Sequence, residues 1–534
     1  MRISSDGPRG RTPRALPTAA PAVTAVLLPG VVILGLGLWG LDRGTIWRDE
    51  AATILVATRS LPQILHLLGN IDAVHGLYYV LIHFVLGGQT DAYLMRLPSV
   101  LGATAAACLV AALGIRLARP RVGLWAGLLY AASPFTGYYA QEGRSYAIVA
   151  AGAAAATLMF VHCVRHPSSW PAWAGYAALV TVTAWLHEFA VLVLAAHAVT
   201  LLVSRAAPVL WRGWAAAAAA AVLLVLPLAD EARGQSFQVA WIRRPGWEDA
   251  EALLRLAAGH PGAVFNTTLL LAAAAVLAPS VRRGTCGLAA VALPLAVVPP
   301  AVLLTVSQWQ PLYAPRYTFF AFAGLPLLVA AGADTVLRRL PERVRPSAYV
   351  QVTAGAALVA VAFWAQFPAQ LRERSPESRR DDFGAVARMA ERDLRPGDAL
   401  LYLPKTGRRL TETYPRAVAG VRDVALKSTG ARSGTLYGVD ASPAELRARM
   451  ACLARVWVLF DAEAGRPGWR TRNPVELTKL VLLERDFTPL TESRRRSGLL
   501  RLYERVGGPA STCAAGAGPA PATATPTEPT SESP

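Results

Sequence analysis

The chain has 534 residues, of which 54% are hydrophobic and 16% charged, with a mean hydropathy of +0.35 and a formal net charge of +18. Soluble domains carry about a quarter charged residues, so this composition excludes an ordinary soluble protein and indicates repeated membrane spans. Nor does the positive charge indicate a nucleic-acid partner. The basic residues are not gathered on one polar domain but punctuate apolar segments, as in the positive-inside pattern.

Residues 1–21 are polar, proline-broken and basic through Arg2, Arg9, Arg11 and Arg14, and are expected to remain cytosolic. The apolar run Ala22–Leu41 is full span length and lacks a cleavage site, so no signal peptide is expected. Residues 42–94 then form an external loop. It opens on Trp47-Arg48-Asp49-Glu50, two adjacent carboxylates at the lip of the membrane. There they can meet a lipid-borne substrate from the side and a water-soluble one from above. Such a pair also favours the first turn of a helix, which is its plain structural use. Ala51–Leu68 reads as a helix lying along the interface, and Gly76–Leu86 as a second interfacial or re-entrant helix.

Further spans are expected at approximately 95–115, 122–139, 145–163, 171–187, 189–204, 213–229, 263–281, 287–306, 318–336 and 347–366, making about eleven in all. Charge orients them. One set of loops carries Arg116, Arg119, Arg121, Arg165, Arg205, Arg212, Arg282, Arg283, Arg338, Arg339, Arg343 and Arg345, opposed only by Glu342. The other set holds most of the acids, including Asp42, Asp49, Glu50, Asp72, Glu142, Glu188, Asp230, Glu231, Glu248, Asp249 and Glu251. The expected topology is amino terminus in and carboxyl terminus out, in the plasma membrane. After the transmembrane domain, 22–369, the composition becomes that of a water-soluble module. Residues 370–506 alternate helix and strand as a small extracytoplasmic α/β domain, and the Pro/Ala/Thr-rich tail 507–534 is expected to be disordered.

The five cysteines show no metal-ligand spacing. Cys108, Cys163 and Cys286 fall in or beside spans as packing residues, whereas Cys452 and Cys513 lie outside the membrane, where a disulfide between them can persist.

The outward polar groups fall into a few short motifs: Arg48-Asp49-Glu50, then His75 with Tyr79, then Gln141-Glu142-Gly143-Arg144-Ser145-Tyr146, then Arg316-Tyr317. Arg96, at the start of the second span, is a fifth candidate. Each has a structural use as well. His75 can satisfy a local hydrogen bond, the arginines can snorkel to headgroups, and Glu142 can pair with Arg144. His187-Glu188 reads as tight-turn polarity. Charged residues at membrane depth are nevertheless expensive and usually functional.

The runs WRDE, HGLYYVLIHFVLG, MRLPSVLG, SPFTGYYAQEGRSYA and APRYTFFAFAGLP, in that order over residues 25 to 335, resemble the glycosyltransferase C superfamily. The likeness is to bacterial members related to protein O-mannosyltransferases and to the lipid A aminoarabinose transferase. The family's HPPLYY stands here as His75-Gly76-Leu77-Tyr78-Tyr79, without the prolines, and its QEARMYA as QEGRSYA. The resemblance implies transfer of a sugar, mannose foremost, from a polyprenyl-phosphate donor to a hydroxyl of a cell-envelope glycan, glycolipid or protein, with inversion. It implies Asp49 as the catalytic carboxylate. Arg48, Glu50, His75, Tyr79, Arg96, Gln141, Glu142, Arg144, Tyr146, Arg316 and Tyr317 become substrate-binding candidates. Arg96, Arg144 and Arg316 suit the departing phosphate, whose oxygens match the guanidinium fork. Asp49 and Glu142 together offer hard oxygen ligands to magnesium or manganese, although some relatives work without metal. Competing readings are a transporter or flippase of lipid-linked sugars and a lipid-diphosphate-dependent glycan polymerase or ligase. A transporter is expected to place ionisable residues near the midplane in paired repeats, and no such repeat is evident.

Overall fold

A computed structural model describes residues 19–260, 262–278, 286–344, 346–466 and 468–507. The expected cytosolic basic segment, the loop arginines Arg282, Arg283 and Arg345, and the expected disordered tail lie wholly or largely outside these residues. So does Cys513. Cys452 is disulfide-bonded, and Cys108, Cys163 and Cys286 are free.

The chain divides into two compact units. The first, through Asp382 together with residues 430–436, is helical. It begins with α1 (Ala19–Leu38), followed by α2 (Arg48–Ala57), α3 (Leu61–Leu68) and α4 (Gly76–Leu86). The expected single interfacial helix over 51–68 is therefore two helices. Ser60 breaks it, and a capping box with Gln63 and a proline in the first turn starts the second.

Next come α5 (Ala92–Leu117), α6 (Pro120–Ala132), α7 (Pro134–Ala140) and α8 (Tyr146–Arg165). The expected span 122–139 is broken at Ser133, whose ψ of 131° is the extended conformation that a following proline imposes. Helices α9 (Trp170–Leu186), α10 (Val193–Val203), α11 (Pro208–Gly234), α12 (Trp247–Ala258), α13 (Gly262–Val276) and α14 (Leu288–Val306) follow. A 3-10 stretch, Pro315–Ala323, leads into α15 (Gly324–Arg339), and α16 (Ala348–Glu373) closes the series.

Among the described residues, six helical segments are long and apolar enough to cross a membrane: α5, α8, α11, α14, Pro315–Arg339 and α16. Four shorter apolar helices accompany them at Ala22–Leu38, Ala73–Leu86, Glu188–Val203 and Gly262–Val276. The chain is a multi-pass membrane protein. Helix α5 is central, packing on α1, α6 and α8. Small residues permit this closeness, as membrane helices generally require. A methyl added at Gly114 of α5 would lie 2.6 Å from the Gly123 backbone of α6, and one at Gly102 would lie 2.8 Å from the Ile148 nitrogen of α8.

The second unit contains α17 (Phe383–Asp393), β1 (Ala399–Leu403), α18 (Arg409–Thr413), β2 (Arg422–Asp423) and β3 (Leu426–Ser428). The short α19 (Gly430–Ser433) belongs to the first unit. Then come β4 (Val439–Asp440), α20 (Pro443–Ala451), β5 (Arg455–Asp461), α21 (Pro474–Asp486), β6 (Phe487–Arg495) and β7 (Gly498–Arg505). The five-stranded sheet has the order β2-β1-β5-β7-β6, with β1 parallel to both β2 and β5 and the other pairs antiparallel. Sequence reading expects the other main elements and passes over β6. That strand lies at the sheet edge, exposed along nearly its whole length, so no alternation of apolar and polar residues marks it.

Candidate active site

The site is built where the start of α2 meets the turn between α7 and α8. Glu50 is fully buried, and a buried carboxylate requires a partner. Arg96, on α5, supplies it through both prongs of the fork, Nε to Oε1 at 2.8 Å and Nη2 to Oε2 at 2.7 Å. The backbone nitrogen of Gly143 donates to the same carboxylate at 2.8 Å. Burial pushes the Glu50 carboxyl up, yet Arg96, Arg379 and the Gly143 amide outweigh it and leave it below the usual carboxylate range.

Arg96 also donates Nη1 to the carbonyls of Leu41 and Gly44, and Nη2 to that of Thr45. All five of its N–H groups are engaged within the protein. Arg96 and Glu50, both substrate-binding candidates from the sequence, are thus turned toward each other and toward the backbone. Together they fold the 41–50 segment onto α5. Gln141 is likewise turned inward, its amide donating to the carbonyls of Gly37 and Trp39.

Asp49, one residue before Glu50, remains partly open. Its carboxylate faces Arg316 Nη1 at 3.7 Å, with the two side chains 21% and 19% exposed. The Arg316 guanidinium lies over the rings of Trp47, Trp241 and Tyr317, at 5.4 to 6.0 Å from their centroids. These faces fix its direction and leave its edge for an anion.

Arg144 enters from the α7–α8 turn. Its Nη1 lies 3.4 Å from the Asp49 carbonyl, 3.3 Å from Thr53 Oγ1 and 3.4 Å from the Tyr79 hydroxyl, while its buried Nε has no protein acceptor. Tyr79 donates in turn to Asp72 Oδ2 at 2.5 Å. Asp72 sits in the left-handed backbone region (φ 65°), and its carboxyl is raised by burial against the opposing pull of Arg144 and the Tyr79 hydroxyl.

Glu142, in the same turn, is 1% exposed, and its Oε2 has no hydrogen-bond partner. Burial pushes its carboxyl up to about 7, against the pull of Arg379 and Arg316. Beyond Arg144 lies an aromatic wall in which His187 contacts Tyr146 (5.5 Å), Tyr317 (4.9 Å) and His75 (6.3 Å). His75 Nδ1 is buried without a partner. Arg48 points elsewhere, its backbone nitrogen and Nε meeting Asp381 at 3.2 and 3.5 Å.

Asp49, Tyr79, Glu142, Arg144, Tyr146, Arg316 and Tyr317 thus stand in one neighbourhood. Sequence reading passed over Asp72, Thr53 and Arg379, and read His187 as turn polarity. Arg379 donates to the carbonyls of Tyr138 and Gln141 and lies 3.9 Å over the Tyr138 ring, from a position after the last apolar helix where no motif marks it. Among the described residues no group of three or more His, Cys, Asp or Glu side chains stands together as metal ligands. Asp49 and Glu142, the expected pair of oxygen ligands, each have arginines close by: Arg316 beside Asp49, and Arg379 and Arg316 near Glu142.

No protein-family model matches the chain, and no curated protein matches its sequence. Solved structures do match. ArnT from Cupriavidus metallidurans bound to undecaprenyl phosphate superposes with a TM-score of 0.57 at 14% identity, over 89% of this chain and 97% of that one. The apo state of the same protein gives 0.56 at 15% identity, over 91% and 98%. The chain shares the fold of ArnT.

Proposed function

We propose that this protein is a membrane glycosyltransferase that moves a sugar, mannose by our reading, from a polyprenyl phosphate to a hydroxyl of an envelope glycan, glycolipid or protein. The observation that carries the reading is the partly open Asp49 carboxylate facing Arg316 at 3.7 Å, with Arg144 beside it. The shared fold supports it, since ArnT has been solved with undecaprenyl phosphate bound.

The chemistry follows from the charges. Asp49 takes the proton of the acceptor hydroxyl as its oxygen attacks the anomeric carbon, and its negative charge favours the oxocarbenium-like centre. The bond from that carbon to the phosphate oxygen breaks on the opposite face, so the configuration inverts. The phosphate leaves with the electron pair, and Arg316 and Arg144 take up its charge. Glu142, whose carboxyl burial raises to about 7, keeps its proton at lower pH and can then donate a hydrogen bond where an ionised carboxylate would repel the phosphate.

The site would lie on the extracytoplasmic face, as the loop charges imply. The charged groups lie at the ends of the helices rather than near their middle, which favours an enzyme over a transporter built around a midplane site. A lipid-diphosphate-dependent polymerase would use the same residues and is separated by donor choice. The test reconstitutes the purified protein in vesicles with radiolabelled polyprenyl-phosphate mannose and envelope extract as acceptor. Transfer should occur, and Asp49→Asn should lower turnover by at least ~10²-fold, the usual scale for a general base. Near-normal transfer by Asp49→Asn would refute the role of Asp49. Transfer only from a diphospho-linked donor would refute the donor class.

A further inference from the structure

At the opposite end of the helices from Asp49, a second charged group stands beside an apolar cavity. Asp334, near the end of α15, is buried at 2% exposure. Three guanidiniums converge on it: Arg121 of α6 through Nε at 2.7 Å and Nη2 at 2.5 Å, Arg338 at 2.9 Å and Arg119 at 3.6 Å. One carboxylate is shared among three arginines, so the cluster as a whole is positive. The excess points outward, because the Arg119 and Arg338 side chains are 42% and 47% exposed, whereas Arg121 is 13% exposed. Arg121 also donates to Gln351 of α16.

Gln351 is in turn part of the wall of a cavity of about 530 Å³ between α6, α13, α15 and α16. The cavity runs from Gln351 and Leu337 at the arginine end to Ser133 and Gln366 at the other, and none of its lining residues is charged. Helix α16 forms one side and buries only 11% of its apolar window within the protein, so the cavity lies behind a helix at the lipid-facing periphery.

We infer that this is a binding site for an anionic diacyl phospholipid, its acyl chains in the cavity and its phosphate on Arg119 and Arg338. The position of the charge fixes the direction. A lipid entering with its head at the Ser133–Gln366 end meets no cation in the lining, whereas at the Gln351–Leu337 end it meets two partly exposed guanidiniums already oriented by Asp334. Arginine suits the role through its bidentate match to phosphate. The site is separate from the Asp49 neighbourhood and does not depend on the transferase reading.

Native mass spectrometry of the full chain in detergent tests it, with phosphatidylglycerol and phosphatidylcholine of identical acyl chains as probes. Phosphatidylglycerol should be retained preferentially, and Arg119→Gln with Arg338→Gln should cut that preference by about fivefold for each arginine, the scale of about 1 kcal/mol per basic residue at a membrane surface. These substitutions leave Asp334 paired with Arg121 and should fold. Ala333→Phe fills the cavity while keeping the charges and should lower retention of both lipids. Equal retention of the two lipids, or an unchanged preference in the arginine double variant, would overturn the proposal. Displacement of phosphatidylglycerol by stoichiometric polyprenyl phosphate would assign the cavity to the donor and overturn it too.

Discussion

Arg96 and Glu50 are joined by two parallel hydrogen bonds of 2.8 and 2.7 Å, with both side chains out of contact with water. Removing one member of such a pair leaves a buried, uncompensated charge, at a cost of about 3–5 kcal/mol. Arg96→Ala should therefore lower the thermal midpoint sharply in detergent. Arg96→Lys should recover only part of it, because an ammonium cannot satisfy the carboxylate fork and three carbonyls at once. The protein that remains folded should keep its donor KM. A raised donor KM at an unchanged midpoint would return Arg96 to the phosphate.

Arg316 and Arg144 carry the opposite expectation. Neither is saturated by carboxylates, and both face the Asp49 neighbourhood. Replacing either by alanine should raise the KM for the polyprenyl donor while the KM for acceptor changes little. Lysine should restore the charge without the bidentate geometry and rescue incompletely. Steady-state kinetics with donor and acceptor varied separately decide the matter. An unchanged donor KM in both alanine variants would remove these residues from the phosphate site.

Glu142 gives a pH signature. Its carboxyl in the folded chain titrates near 7 against an ordinary value of 4.5. Between those values the unfolded chain has lost the proton that the folded chain retains, so the contribution of Glu142 to stability falls as pH rises across that window and is level on either side. Glu142→Gln abolishes the titration. Its stability advantage over wild type should grow between pH 4.5 and 7 by roughly 3 kcal/mol, at about 1.4 kcal/mol per unit. Thermal midpoints of both proteins across that range supply the measurement, and a constant difference would show that Glu142 is ionised throughout.

The orientation can be tested independently. Arginine-rich loops on one side and acidic loops on the other call for an inside amino terminus and an outside carboxyl-terminal module. A reporter active only in the cytosol, fused after Arg505, should be silent. Strong activity there would place the Asp49 neighbourhood on the cytosolic face.

Much of this arrangement is legible in the sequence because membrane depth makes charge conspicuous. Asp49, Arg144 and Arg316 stand out as polar residues at the ends of apolar runs. Their division of labour is not legible. Arg96 looks like a phosphate ligand by the same criterion, and only the distances show its donors engaged by Glu50 and the 41–45 carbonyls. Arg379 and Asp72 lie in polar stretches where one more charge carries no signal. The break at Ser133 was readable from Pro134. The split at Ser60 was readable from its capping residues, but apolar periodicity on both sides concealed it.

Gly143 accepts a hydrogen bond from Thr53 at 3.2 Å and donates one to Glu50 at 2.8 Å, so a single residue stitches α2 to the α7–α8 turn from both sides. Asp49, Glu142 and Arg144 are consequently tied to one another through that residue. Arg316 reaches that group from a different segment, the 3-10 stretch ahead of α15, across a longer and partly hydrated contact of 3.7 Å. The site is therefore a joint between two separately anchored segments: whatever shifts the Gly143 stitch moves Asp49 and Arg144 together, while Arg316 keeps the place that the buried 318–323 stretch gives it.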